Sequence, residues 1–168
     1  MGNKFRKWLG GGGGGGGGGV KIVKPNETKK EIKIVMVGDA TVGKTALVVN
    51  YKSGTFNAEY TPNLLDVYRG ERDYNGENIS LHIHDTSGDP LLGELRQVTY
   101  NRTDCFMLCF AVDNRNSFDN VQTKWKIELA NSMPRTPILL VATKIDKMNA
   151  PGAITEREME EIMNTVSA

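Results

Sequence analysis

Strand-like runs alternating with helix-like runs predict an α/β fold, a doubly wound sheet made mixed by a single hairpin. Three observations carry this. The apolar run Glu31–Val37 climbs into a glycine-rich loop, Gly38 to Thr45, that opens a helix. Asn75-Gly76 lies between two strand-like runs and is the dipeptide of a two-residue hairpin turn. Cys105–Val112 is almost wholly apolar, as a central strand covered on both faces must be.

The elements follow in order. Glu31–Val37 is strand one, and Thr45–Tyr51 begins a helix. Glycine and polar residues make Lys52–Pro62 a long loop. Leu64–Asp73 and the alternating run Ile79–His84 pair as antiparallel mates. Leu91–Tyr100 reads as one short helix. Ser117-Phe118-Asp119-Asn120 opens a helix running to about Asn131, and Pro134 and Pro137 end the connection. Ile138–Ala142 reads as another fully buried strand. Thr155, with Glu158 three residues on, forms a capping box for the last helix.

A chain of 168 residues, 39% hydrophobic, has room for one domain with a real core. Residues 1–30 read as a flexible basic and polyglycine tail and 31–168 as the domain. Ten consecutive glycines, Gly10 to Gly19, have no side chains to bury and a large ordering entropy. Before them, Lys4, Arg6 and Lys7 mix with Phe5, Trp8 and Leu9, which suits weak contact with an anionic membrane surface. The alternative is an extension of no fixed role. Gly2 is placed for myristoylation, but Arg6 stands where that motif has Ser or Thr. The basic-aromatic stretch is too short for a nucleic-acid module. Cys105 and Cys109 share a strand face too far apart to bridge, which reads as buried thiols in a reducing compartment. The expected location is cytoplasmic, with the tail at the inner face of the plasma membrane.

Three motifs carry chemistry. Gly38-Asp39-Ala40-Thr41-Val42-Gly43-Lys44-Thr45 fits G-x-x-x-x-G-K-[ST]. Its backbone N–H groups and the helix that follows cradle phosphate oxygens. Lys44 reaches the β- and γ-phosphates, and the Thr45 hydroxyl meets Mg²⁺. Asp85-Thr86-Ser87-Gly88 follows a strand, so Asp85 can hold Mg²⁺ through water and the Gly88 N–H can meet a γ-phosphate. Thr143-Lys144-Ile145-Asp146 follows another, and Asp146 can accept from guanine N1 and its 2-amino group, a donor pair adenine lacks. Lys144 is expected to pack across the base and brace the phosphate loop. Together the motifs ask for GTP or GDP with Mg²⁺.

In these motifs and their order the chain resembles the Ras-like small GTPases, and within them the Rho family. Phe56 and Glu59-Tyr60-Thr61-Pro62 are similar to the first switch, and Leu95-Arg96 with Thr99-Tyr100 to the run after the second. Asn120-Val121 and Lys124-Trp125 resemble a Rho-type helix. The resemblance implies a P-loop NTPase fold of Ras-like type. It implies Phe56 against the guanine edge, Tyr60 closing over the phosphates, and Thr143, Lys144 and Asp146 at the base. It also implies effector proteins at the switch regions, exchange factors as partners, and links to actin and vesicle traffic.

Four departures qualify it. Asp89 stands where hydrolysing members have the Gln that orients water, and Asp85-Thr86-Ser87-Gly88-Asp89-Pro90 is similar to Rnd-type Rho proteins, which hold GTP without appreciable hydrolysis. Ala40 replaces a usual Gly and crowds the space of that Gln and of an activating arginine. Asn63 follows Pro62 where Thr usually binds Mg²⁺ and the γ-phosphate; it keeps a backbone donor and offers a side-chain carbonyl. The resemblance also implies a sixth strand and a last helix, which are not evident. Three functions remain open: a GTP-binding switch with impaired hydrolysis, a functional GTPase, and a nucleotide-free binding surface.

Other residues read more plainly. His82 and His84 share a strand face without a metal-binding partner set. Tyr100 and Trp125 read as packing residues. Leu91 and Leu92 are read either as an exposed effector patch or as tucked under the sheet.

Overall fold

A computed structural model describes residues 30–55 and 65–166. The tail and the site residues Phe56, Tyr60 and Asn63 lie outside the described residues.

Five strands form one sheet: β1 (Lys30–Val37), β2 (Leu65–Tyr74), β3 (Glu77–Thr86), β4 (Cys105–Ala111) and β5 (Ile138–Thr143). Their order is β2-β3-β1-β4-β5. Only β2 and β3 run antiparallel; β3, β1, β4 and β5 are parallel. The loops leaving those four strands therefore share one edge of the sheet, and strand order reverses beside β1. That is where open α/β sheets place ligands. The mixed, doubly wound α/β fold is as expected.

The β2–β3 hairpin turns on Asn75 (φ 53°) and Gly76 (φ 83°). Two successive positive φ values make the tight turn whose twist matches paired strands. Side chains of β1 and β4 alternate between two cores, since successive Cβ atoms point to opposite faces. Val35, Val37, Phe106, Leu108 and Phe110 meet Phe118, Trp125, Leu129 and Ile162 on one side. Met36, Met107, Cys109 and Ala111 meet Val42 and Val48 on the other.

The helices are α1 (Lys44–Ser53), α2 (Gly93–Val98), α3 (Arg115–Asn120), α4 (Lys126–Ser132) and α5 (Glu156–Val166). A π-helical segment, Val121–Trp125, joins α3 to α4. The helix opens earlier than Ser117 because the Asn114 side chain accepts from the Ser117 N–H and caps it. The expected single helix over 91–100 is instead a 3₁₀ turn, Pro90–Leu92, followed by α2. Proline at the first turn position and the Asp89 cap start that turn one residue early. At α5 the Thr155 Oγ1 accepts from the Glu158 N–H at 3.3 Å, and Glu158 Oε2 accepts from the Thr155 N–H at 2.9 Å, completing the capping box.

A second expectation is corrected. β5 is half-buried, with Leu139 at 43% exposure. Among the described residues it is an edge strand, covered laterally only by β4. Its apolar composition matched that of a central strand, but its neighbours do not.

Candidate functional site

The loop between β1 and α1 is shaped by its glycines. Gly38 has φ 137°, and a Cβ there would lie 2.2 Å from the Cys109 carbonyl oxygen. Only glycine lets β1 leave the sheet so close to β4. Gly43 has φ 98° and turns the chain into the first turn of α1. Ala40 and Thr41 are exposed at the tip, and Val42 is buried beneath it. The N–H groups of that first turn have no intrahelical partners, so the loop presents donors to an anion.

Lys44 is 6% exposed. Its Nζ donates to the Gly38 and Asp39 carbonyls, each at 2.8 Å, which lays the side chain back across the loop. Burial pushes its pKa down from the usual lysine value. Two of the three ammonium donors hold the loop, so the cation is fixed in place by the loop's own carbonyls.

The Thr45 hydroxyl donates to Asp85 Oδ2. Asp85 is 4% exposed, its Oδ1 is buried without a partner, and burial pushes its pKa up. An orphaned carboxylate oxygen beside a hydroxyl, at the foot of a phosphate loop, fits a hard cation. No group of three His, Cys, Asp or Glu among the described residues could hold a metal. Thr86 Oγ1 donates to the Met36 carbonyl at 2.6 Å and fixes the end of β3 to β1.

Gly88 presses on the phosphate loop. A Cβ there would lie 2.3 Å from Ala40 N and Asp39 C. Asp89 does not face that loop with a free carboxylate: its Oδ1 accepts from the Leu91 N–H at 2.9 Å and caps the 3₁₀ turn. Leu91 is 92% exposed while Leu92 is half-buried, so the two leucines divide between the two readings.

Thr143 Oγ1 donates to the Val42 carbonyl, joining the end of β5 to the phosphate loop. Asp146 is exposed in the turn Ile145–Lys147. Lys144 has φ 54°, and its Nζ lies 3.5 Å from Asp113 Oδ1. Asp113 also accepts from Lys147 at 2.6 Å, and this hydrogen bond, followed by the other lysine charge, holds its carboxyl below the ordinary value.

Sequence reading missed the groups that brace these loops. Asp39 accepts from Trp125 Nε1 at 2.8 Å and from Asn120 Nδ2 at 2.7 Å. Arg96, 3% exposed, pairs with Glu128 at 2.8 Å. Trp125 and Tyr100 are buried, as packing residues are, but both also hydrogen-bond. Local patterns carry no signal for such pairs. His82 and His84 are half-buried on β3, with the His82 ring 3.3 Å from Ser80 Oγ. The cysteines are free thiols, Cys109 wholly buried. No helix among the described residues is long and apolar enough to cross a membrane.

The Ras family matches residues 33–168. The Rho-related protein racM of Dictyostelium discoideum is 47% identical over 118 residues, 70% of this chain and 62% of that protein. The Rho-related protein racC of Entamoeba histolytica is 37% identical over 142 residues, 84% of this chain and 73% of that protein. The chain thus spans less than two thirds of racM. With the fold and the arrangement of loops at the sheet edge, these matches place the chain in the Ras family, as a relative of the Rho small GTPases.

Proposed function

We propose that the chain binds GTP or GDP with Mg²⁺ and acts as a Rho-like signalling switch with impaired GTP hydrolysis. The reading is carried by one juxtaposition. Lys44, Thr45 and Asp85 are arranged to receive phosphate and cation, while Asp89, at the water-orienting position, is engaged as a helix cap. The phosphate loop Gly38–Thr45 and Gly88 hold the phosphates. Thr143, Lys144 and Asp146, with Phe56, specify guanine, and Tyr60 closes the site. Thr45, Asn63 and Asp85 hold Mg²⁺, which when bound neutralises phosphate charge.

Hydrolysis would be in-line attack of water on the γ-phosphate, with Lys44 stabilising charge. An ionised Asp89 has no donor with which to orient that water. The Ala40 methyl at the exposed loop tip further narrows the approach of an activating arginine. The exposed Leu91, Leu95 and Val98 support docking of effectors or exchange factors beside the second switch. The basic tail supports weak membrane contact.

One observation favours a nucleotide-free binding surface instead: the Lys144 ammonium pairs with Asp113. Titration of the folded chain with fluorescent GTP and GDP, with and without Mg²⁺, separates the two. Saturable, Mg²⁺-dependent binding supports the nucleotide reading. Its absence leaves only the surface.

A further inference from the structure

The loop Ser87–Asp89 is held from behind. Arg96 Nη1 donates to the Ser87 carbonyl at 2.9 Å and the Asp89 carbonyl at 3.3 Å, one on each side of Gly88. Its Nε and Nη2 donate to the two Glu128 oxygens at 3.0 and 2.8 Å. The Tyr100 hydroxyl accepts from Arg96 Nε at 3.1 Å and donates to Glu128 Oε1 at 2.6 Å. The guanidinium also lies 4.7 Å from the Trp125 ring centre. Trp125 is fully buried, and its N–H holds the Asp39 carboxylate of the phosphate loop. Asn120 holds the other Asp39 oxygen. An unbroken path of buried and part-buried contacts thus runs from the phosphate loop through Trp125 and Arg96 to the carbonyls flanking Gly88.

We propose that Arg96 and Trp125 are positioning residues that hold the Ser87–Asp89 loop against the phosphate loop by the protein's own contacts, without a γ-phosphate. Charge-assisted hydrogen bonds inside a satisfied buried network are strong and geometrically selective. A loop so held has little left to gain from a γ-phosphate, and a ligand shifts only an equilibrium it binds unequally. Resting on the nucleotide reading for this consequence, the apolar surface of Leu91, Leu95 and Val98 is displayed alike with GDP and GTP, so nucleotide-dependent switching lies outside residues 87–98.

Amide hydrogen exchange over residues 87–98 of the full chain tests this, without nucleotide, with Mg·GDP, and with a Mg-bound non-hydrolysable GTP analogue. Wild type is expected to exchange equally in the three states, within about twofold. Arg96→Lys and Trp125→Phe are expected to raise nucleotide-free exchange there by roughly 10–100-fold, the factor corresponding to a lost hydrogen bond to a charged group. The GTP analogue, and not GDP, should reverse that rise, which general loosening of the core would not show. Glu128→Gln serves where Arg96→Lys or Trp125→Phe fails to fold. Wild-type protection that appears only with the triphosphate, or variants that exchange like wild type, would overturn the proposal. If neither nucleotide binds, the proposed function fails, while the nucleotide-free comparison still decides the tether.

Discussion

The Asp89 carboxylate accepts a hydrogen bond from the Leu91 backbone N–H at 2.9 Å. The acid therefore satisfies a turn that would otherwise begin with an open donor, and one of its two oxygens is engaged there. Replacing Asp89 by Gln, together with Ala40→Gly, restores a neutral amide and the space for it. Single-turnover phosphate release should rise by roughly 100-fold, the low end of what one positioned hydrogen-bonding side chain contributes. Asp89→Gln alone should cost about 1 kcal/mol by urea unfolding, since a cap is lost.

Gly88 has backbone on both sides, so Gly88→Ala cannot be relieved by a side-chain rotation. A methyl there meets Ala40 N, Asp39 C and the Gly38 carbonyl oxygen within 2.4 Å. The two loops must part. The variant should lose about 1–3 kcal/mol of stability, as overpacked sites do. Its affinity for GTP should fall more than its affinity for GDP, measured by fluorescent-nucleotide titration.

Asp85 leaves Oδ1 unpartnered in a buried place. Asp85→Asn keeps the shape and removes the charge. In the wild type, chelating Mg²⁺ should speed nucleotide release; in the variant, release should already be fast and unresponsive to chelator. Stopped-flow release with and without EDTA reads both.

Glu128 carries a pH signature. Burial pushes its pKa up, but the hydrogen bonds from Arg96 and Tyr100 outweigh it and hold the folded value below the ordinary 4.5. Its contribution to stability is thus complete above about pH 4.5 and is lost as pH falls through the lower folded value. Glu128→Gln should flatten the loss of stability below that pH. Urea unfolding midpoints from pH 3 to 7 would show the difference.

Several elements were legible because the cue was local. Asn75-Gly76 announced a hairpin, Thr155 with Glu158 a helix start, and the apolar run after Asp104 a central strand. Gly38–Thr45, Asp85 and Asp146 could be read together because each lies at or just beyond the C-terminal end of a parallel strand, and those ends share one sheet edge. What stayed hidden depends on distant partners. Leu139 is exposed because of what flanks β5, which its own sequence does not encode. Asp39 and Trp125 are 86 residues apart and Arg96 and Glu128 are 32 apart, so only the fold brings them together. The Asn114 cap was overlooked because Ser117, its donor, looked like a cap itself.

The central claim is that this site holds GTP and turns it over slowly. Its most direct test is phosphate release from γ-labelled GTP in a single turnover, on protein already shown to bind the nucleotide stoichiometrically with Mg²⁺. The account predicts saturable loading, then release slower than that of the Ala40→Gly, Asp89→Gln double variant by roughly 100-fold. Release as fast in the wild type as in that variant, or no loading of the folded chain, would contradict it.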